Sequence, residues 1–221
     1  SVGVLIMKWL TLFAILTTPT LVIAEPSSKM AWTPDMLEFV KQGNAAKGKQ
    51  LAATCTGCHG ENGVSPMPGY PSLAGQLATY TYKQLRDYAD NSRPHTLMSS
   101  VTAGLSEQDS ADLAAWFNTL ALPPQKKADP QSIKRAKKLA TRGEGKRILP
   151  PCSACHGTEG KGEKMDIPAL AGQQAEYFEA TLKEYKTGDR HNDIYSRMRL
   201  IAKQLTDEEI KDLAQYYLQL K

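Results

Sequence analysis

Cys55-Thr56-Gly57-Cys58-His59 and Cys152-Ser153-Ala154-Cys155-His156 are one five-residue signature written twice. Each is a C-x-x-C-H, the spacing at which a c-type haem is attached. With two residues between them, both thiols reach the vinyl groups along one porphyrin edge, and the imidazole that follows turns to the iron. Paired C-x-x-C units are also a zinc pattern. Zinc half-sites usually lie closer in sequence, however, and need no His directly after the second Cys. The haem reading leads. It makes Cys55, Cys58, Cys152 and Cys155 the covalent attachment points and His59 and His156 the proximal ligands of two covalently bound haem c groups.

Around these motifs the chain has 221 residues, enough for two small domains, and its four cysteines are all spent in the motifs. Haem attachment of this type is completed outside the cytoplasm, so an export signal is expected. Met7-Lys8 precedes an apolar run from Trp9 to Ala24, which ends Val22-Ile23-Ala24 before Glu25. A cleaved signal peptide over 1–24 and a periplasmic destination follow. The run carries Thr17, Thr18, Pro19 and Thr20 and is short for a membrane span, which disfavours an uncleaved anchor.

From Asn44 the sequence repeats itself. An offset of 97 relates Cys55 to Cys152, Gly48 to Gly145, Pro71 to Pro168, Leu73-Ala74-Gly75-Gln76 to Leu170-Ala171-Gly172-Gln173, Tyr80 to Tyr177, Tyr88 to Tyr185 and Arg93 to Arg190. Three extra residues then bring the offset to 100, relating Met98 to Met198 and Asp112-Leu113-Ala114 to Asp212-Leu213-Ala214. The expected organisation is a poorly structured lead-in over 25–43 with a short helix near Pro34 to Val40, a first domain over 44–121, a proline-stiffened linker over 122–131 and a second domain over 132–221.

Each copy reads as all-α. A first helix over about Ala45 to Thr54 delivers the first motif, and Pro150-Pro151 is expected to cut its counterpart short. Middle helices cover Gln76 to Tyr88 and Gln173 to Tyr185. Final helices open at Ser106 and Thr206, the latter with a Thr206/Glu209 capping box. Leu113, Trp116, Phe117 and Leu120, matched by Leu213, Tyr216, Tyr217 and Leu220, form the core-facing stripe.

A low-spin carrier needs a second axial ligand, and a Met thioether favours ferrous iron. Met67 and Met165 follow the motifs but are not repeat-equivalent, whereas Met98 and Met198 are. Met98 and Met198 are therefore the expected sixth ligands. His95 and His191 are not equivalent and fall to the surface or to the haem propionates. Arg93 and Arg190 suit a propionate. A carbonyl near Pro71 and Pro168 is placed to accept the Nδ1 proton of His59 and His156.

C-x-x-C-H, then P-x-L-A-G-Q, then Met ahead of L-[ST]-x-x-[DE], all duplicated after a signal peptide, resembles the dihaem cytochrome c4 family over about Asn44 to Lys221. The resemblance implies two class I cytochrome c domains about a pseudo-twofold axis, each with His/Met ligation. It also implies a periplasmic, often membrane-associated carrier from quinol-oxidising complexes to terminal oxidases. Related dihaem subunits serve dedicated dehydrogenases such as thiosulfate dehydrogenase, which is the alternative; a dihaem peroxidase would need one iron with an open position. No catalytic residue is expected.

Charge is uneven. Segment 25–121 holds seven Lys/Arg and nine Asp/Glu, whereas 122–221 holds nineteen and fourteen. Such a field steers encounter with an acidic redox partner. Nucleic acid is not an expected partner.

Overall fold

A computed structural model describes residues 27–221; the expected signal peptide, 1–24, lies outside them. Among the described residues there is no sheet, only an isolated antiparallel bridge between Glu144 and Leu149, and no helix is long and apolar enough to cross a membrane.

Helix α1 (Pro34–Lys41) begins where Thr33 accepts a hydrogen bond from the Met36 amide and Pro34 pre-sets the first turn. The lead-in is thus well structured, contrary to expectation. Met30, Trp32, Met36, Phe39 and Val40 pack around Tyr82, Ala111 and Ala114 of the first copy. Burial of that apolar face is what holds so short a helix.

The first copy continues with α2 (Ala45–Leu51), a 3₁₀ turn (Ala52–Thr54), α3 (Thr56–His59), α4 (Ala78–Ala89), α5 (Thr96–Thr102) and α6 (Glu107–Thr119). The second has α7 (Pro130–Arg142), α8 (Ser153–His156), α9 (Ala175–Thr187), α10 (Arg197–Ala202) and α11 (Asp207–Leu218). Both final helices carry a capping box, Ser106 with Asp109 and Thr206 with Glu209. Leu113, Phe117, Leu213, Tyr216 and Tyr217 are buried as the stripe predicted.

The repeat fails in one place. Helix α2 crosses α6 at Gly48, where a Cβ would stand 1.9 Å from the Asp112 carbonyl oxygen. Gly145 has open space around it and is not the equivalent residue. The counterpart of α2 lies further upstream: α7 lays Ala136, Leu139 and Ala140 into the second core, beside α11. Asp112 of α6 accepts from the Asn44 amide at 2.7 Å, while Asp212 of α11 takes the Arg135 guanidinium at 2.6 Å. Nor does Pro150-Pro151 end this helix. Gly143 does, at φ 70°, where a Cβ would meet the Leu149 carbonyl oxygen at 2.2 Å. Helix α7 also starts inside the segment read as linker, capped by Asp129. The preceding residues are tied to the second copy by Lys126 N–H to Leu218 O (3.3 Å) and Lys126 Nζ to Gln174 (2.6 Å).

The two copies meet reciprocally. Gln76 donates to the Ala169 carbonyl at 3.0 Å and accepts from the Ala169 amide at 2.8 Å. Gln173 does the same with Ser72, at 2.9 Å in both directions. Ser72 and Ala169 occupy the same repeat position, so the interface is isologous in the manner of a twofold dimer.

Candidate haem centres

Each C-x-x-C-H closes a single helical turn. His59 N–H donates to Cys55 O at 3.0 Å and His156 N–H to Cys152 O at 2.9 Å. Gly60 (φ 81°) and Gly157 (φ 80°) end these turns, and at Gly60 a Cβ would stand 2.0 Å from the Val64 carbonyl oxygen. The chain therefore reverses immediately after the His and returns to cover its ring.

The return brings in the proline carbonyls. His59 Nδ1–H donates to Pro71 O at 2.8 Å, and His156 Nδ1–H donates to Pro168 O at 2.9 Å. This bond fixes the ring and the tautomer, leaving the Nε2 lone pair as the ligating one. Burial holds both imidazoles below their ordinary pKa, against the opposing effect of the carbonyl bonds, so both rings are neutral donors at pH 7. Burial also raises the Cys55 thiol and pushes that of Cys152 up to about 11. The four cysteines are unpaired, and Cys155 is exposed. Among the described residues no three His, Cys, Asp or Glu side chains converge on a metal site, so the two C-x-x-C pairs do not combine as zinc half-sites.

Met98 stands in the first turn of α5 and Met198 in the first turn of α10; both are half-buried, and Met198 packs on the second core. The other described methionines have different settings. Met30 and Met36 belong to the lead-in cluster, Met165 is exposed at φ 62°, and Met67 lies in a turn closed by Ser65. His95 is the N-cap of α5, its Nδ1 accepting from the Met98 amide at 3.2 Å. It places the helix that carries Met98.

Arg93 and Arg190 are buried, and neither has a carboxylate within ion-pair distance among the described residues. Each stacks on a tyrosine of its own copy, Arg93 at 4.7 Å from the Tyr88 ring and Arg190 at 4.5 Å from that of Tyr185. Each also reaches the other copy, Arg93 to the Tyr177 hydroxyl (3.2 Å) and Arg190 to that of Tyr80 (3.1 Å). Burial pushes the Tyr177 hydroxyl up, but the Arg93 and Arg190 charges outweigh it and bring it to about 8. Beside them Lys83 is buried with Asp87 at 2.5 Å, while Asn192 bonds Asp87 at 2.6 Å and Gln84 at 3.0 Å. Among the described residues Asp87 pairs with Lys83 and the nearby Asp193 with Arg199, so the two buried guanidiniums leave a cationic excess of two. That excess fits anionic groups such as the carboxylates of two haems. The sequence named both arginines, but not the cross-domain roles of Gln76, Gln173, Tyr80 and Tyr177. Their equality under the repeat was the available signal.

The Cytochrome c family model matches residues 45–121 and 143–221. Cytochrome c4 of Pseudomonas aeruginosa is 36% identical over 176 residues, covering 79% of this chain and 87% of that one. The thiosulfate dehydrogenase electron acceptor of Stutzerimonas stutzeri is 33% identical over 198 residues, 86% of this chain and 88% of that one. Among solved structures, reduced recombinant cytochrome c4 from Pseudomonas stutzeri superposes with a TM-score of 0.78 at 34% identity, covering 81% of this chain and all of the other. Thiosulfate dehydrogenase TsdBA from Marichromatium purpuratum gives 0.74 at 30% identity, over 80% of this chain and 40% of that one. Two matched haem motifs, the reciprocal interface between them and likenesses running through both copies make this chain a member of the cytochrome c family, in its dihaem cytochrome c4 branch.

Proposed function

We propose that this dihaem electron-transfer cytochrome holds its irons between His59 and Met98 and between His156 and Met198, and works as a periplasmic carrier with no reaction of its own. The observation that carries the reading is the duplicated His–carbonyl bond, which presents two neutral, oriented imidazoles in equivalent pockets. Haem iron, when bound, takes up and releases one electron. The chain's own residues do the rest. Cys55, Cys58, Cys152 and Cys155 would hold the groups as thioethers. Soft sulfur from Met98 and Met198 would favour the reduced state. Arg93 and Arg190 would pair with carboxylates at the interface, so that both centres face one shared, buried seam.

Equivalent methionines on matching helices favour saturated irons over the open position a peroxidase needs. Relatives named as thiosulfate dehydrogenase electron acceptors favour a dehydrogenase as donor; a quinol-oxidising complex is the other candidate, and a terminal oxidase is the fitting acceptor. Peripheral membrane association belongs to the same proposal.

The test is a redox titration of the exported holoprotein. Mass spectrometry should find two haems and an N-terminus at or near Glu25, and titration should resolve two reversible one-electron steps. Turnover of hydrogen peroxide would overturn the carrier reading.

A further inference from the structure

The two copies approach their haem motifs differently. In the first, α2 runs through its 3₁₀ turn straight into Cys55. In the second, α7 stops at Arg142, and residues 143–151 make a loop that has no counterpart. This loop is closed and anchored. Glu144 and Leu149 exchange both backbone hydrogen bonds, at 2.8 and 3.0 Å, and Leu149 is buried. Arg147 grips Glu209 through two bonds of 3.0 and 2.6 Å and donates to the Gln204 carbonyl at 2.9 Å.

At its tip Ile148 takes φ 53° and ψ 37° and is 87% exposed. A β-branched residue in the left-handed region is a strained outlier, and an apolar side chain in water forgoes its burial. Glycine or asparagine would relieve both costs, so the cap gains nothing for folding from isoleucine. The helix that leads into it and the loop itself carry a basic excess. Lys134, Lys137, Arg142 and Lys146 are exposed with no carboxylate within ion-pair distance among the described residues, Lys138 and Arg147 engage Glu144 and Glu209, and Glu208 is exposed at 4.0 Å from Arg135.

We infer that the loop of residues 143–151 is a docking surface for a one-electron partner protein whose contact face is acidic around an apolar recess. The inference rests on the carrier reading above. The rigid tip supplies an apolar anchor at little ordering cost, and the lysines steer the approach. Cys152 follows Ile148 by only four residues, which keeps a partner seated here within about 14 Å of chain from the second attachment edge. The first copy offers no such tip.

The experiment is stopped-flow oxidation of the reduced holoprotein by plastocyanin, an acidic copper protein, with ferricyanide as the small-molecule oxidant. Ile148→Ser is expected to slow the plastocyanin reaction on the order of tenfold, leaving the ferricyanide rate and both midpoint potentials unchanged. Ile148→Gly, which relieves the backbone, should fold at least as well and slow the reaction equally. Lys137→Glu with Lys146→Glu should slow it further and flatten its dependence on ionic strength, whereas Lys41→Glu in the lead-in with Lys47→Glu in the first copy should not. Wild-type plastocyanin rates in both Ile148 variants would overturn the inference. So would unchanged rates together with an Ile148-dependent loss of sedimentation with phosphatidylglycerol vesicles, which would assign the tip to lipid. Failure of the wild-type holoprotein to reduce ferricyanide would overturn the carrier reading itself, a result separate from either.

Discussion

The two copies agree at their motifs and in the glutamine, arginine and tyrosine contacts between them, and differ most where they face outward. The His–carbonyl bonds, the glutamine pair across the interface and the arginine–tyrosine contacts all obey the repeat. The outer face of the middle helix does not. Tyr82 of α4 is buried under α1, whereas its repeat equivalent Glu179 on α9 is paired with Lys183 at 2.6 Å in a solvated i,i+4 bridge. Ala111 lies under the same helix, whereas its equivalent Lys211 is exposed. The first copy therefore accommodates a covering helix that the second is built to refuse. The seam carries a second asymmetry. Asn192 and Asp193, in the stretch where the second copy is three residues longer, reach Lys83, Asp87 and Ser27, and among the described residues no mirror-image contact returns. A duplicated fold has kept its motifs and the reciprocal contacts between them, and specialised its two exteriors and one flank of the seam.

The largest effect should come from breaking what the copies share. Met98→Ala or Met198→Ala is expected to abolish the ferric sulfur-to-iron charge-transfer band of one haem. The same change should lower its potential by several times the roughly 59 mV that marks a tenfold shift in a one-electron couple. Absorption spectra and redox titration read both, and a full band in both variants would refute the ligand assignment.

Next comes a substitution that should matter in one copy only. Asp87→Ala leaves the Lys83 ammonium buried without its partner, which costs about 3–5 kcal/mol. Its equivalent Glu184 is exposed, and Glu184→Ala should stay within about 0.5 kcal/mol of wild type. Denaturant unfolding of the holoprotein compares them. Equal effects would mean that the buried pair is no stronger a determinant than a surface charge.

A smaller difference attends the covering helix. Val40 is 1% exposed, and Val40→Ala should cost about 2 kcal/mol through lost burial and a residual cavity. Lys211→Ala, on the uncovered face of the second copy, should be near neutral. A neutral Val40→Ala would show that α1 is an appendage and not part of the first core.

Both haem motifs, the middle and final helices, and the carbonyls that orient the imidazoles were legible from the sequence, because each rests on a local pattern at constant spacing. The upstream part of the second copy was not. Gly48 and Gly145 coincide in register, but one glycine is forced by a helix crossing and the other lies in an open turn; alignment by residue type cannot separate those causes. The lead-in was misread for a related reason. Its apolar residues, Met30, Trp32, Met36, Phe39 and Val40, look dispersed along the chain. They gain meaning only against Tyr82 and Ala111, whose exposure depends on that same helix. The arginines were visible, but their lack of carboxylate partners is a fact of three dimensions.

The smallest expected difference is between the potentials of the two haems. Under the proposed His and Met ligation of both irons, the ligands cannot separate them. Arg93 and Arg190 occupy equivalent positions on the seam and contribute alike to each centre, and Lys83 with Asp87 is a neutral pair. What remains is the exterior: the second copy carries the exposed lysines of α7 and its loop, whereas segment 25–121 holds more acidic than basic residues. Positive charge disfavours oxidised iron. At about 10 Å a unit charge is worth roughly 1.7 kcal/mol at an effective dielectric of 20, and salt reduces it, which leaves a separation of tens of millivolts. The haem at His156 should therefore be the higher of two resolved steps, and the gap should narrow as ionic strength rises. Met198→His should move the upper step and Met98→His the lower. If Met198→His moved the lower step, the ordering by outer charge would fail, and solvent exposure of the two centres would become the term to measure.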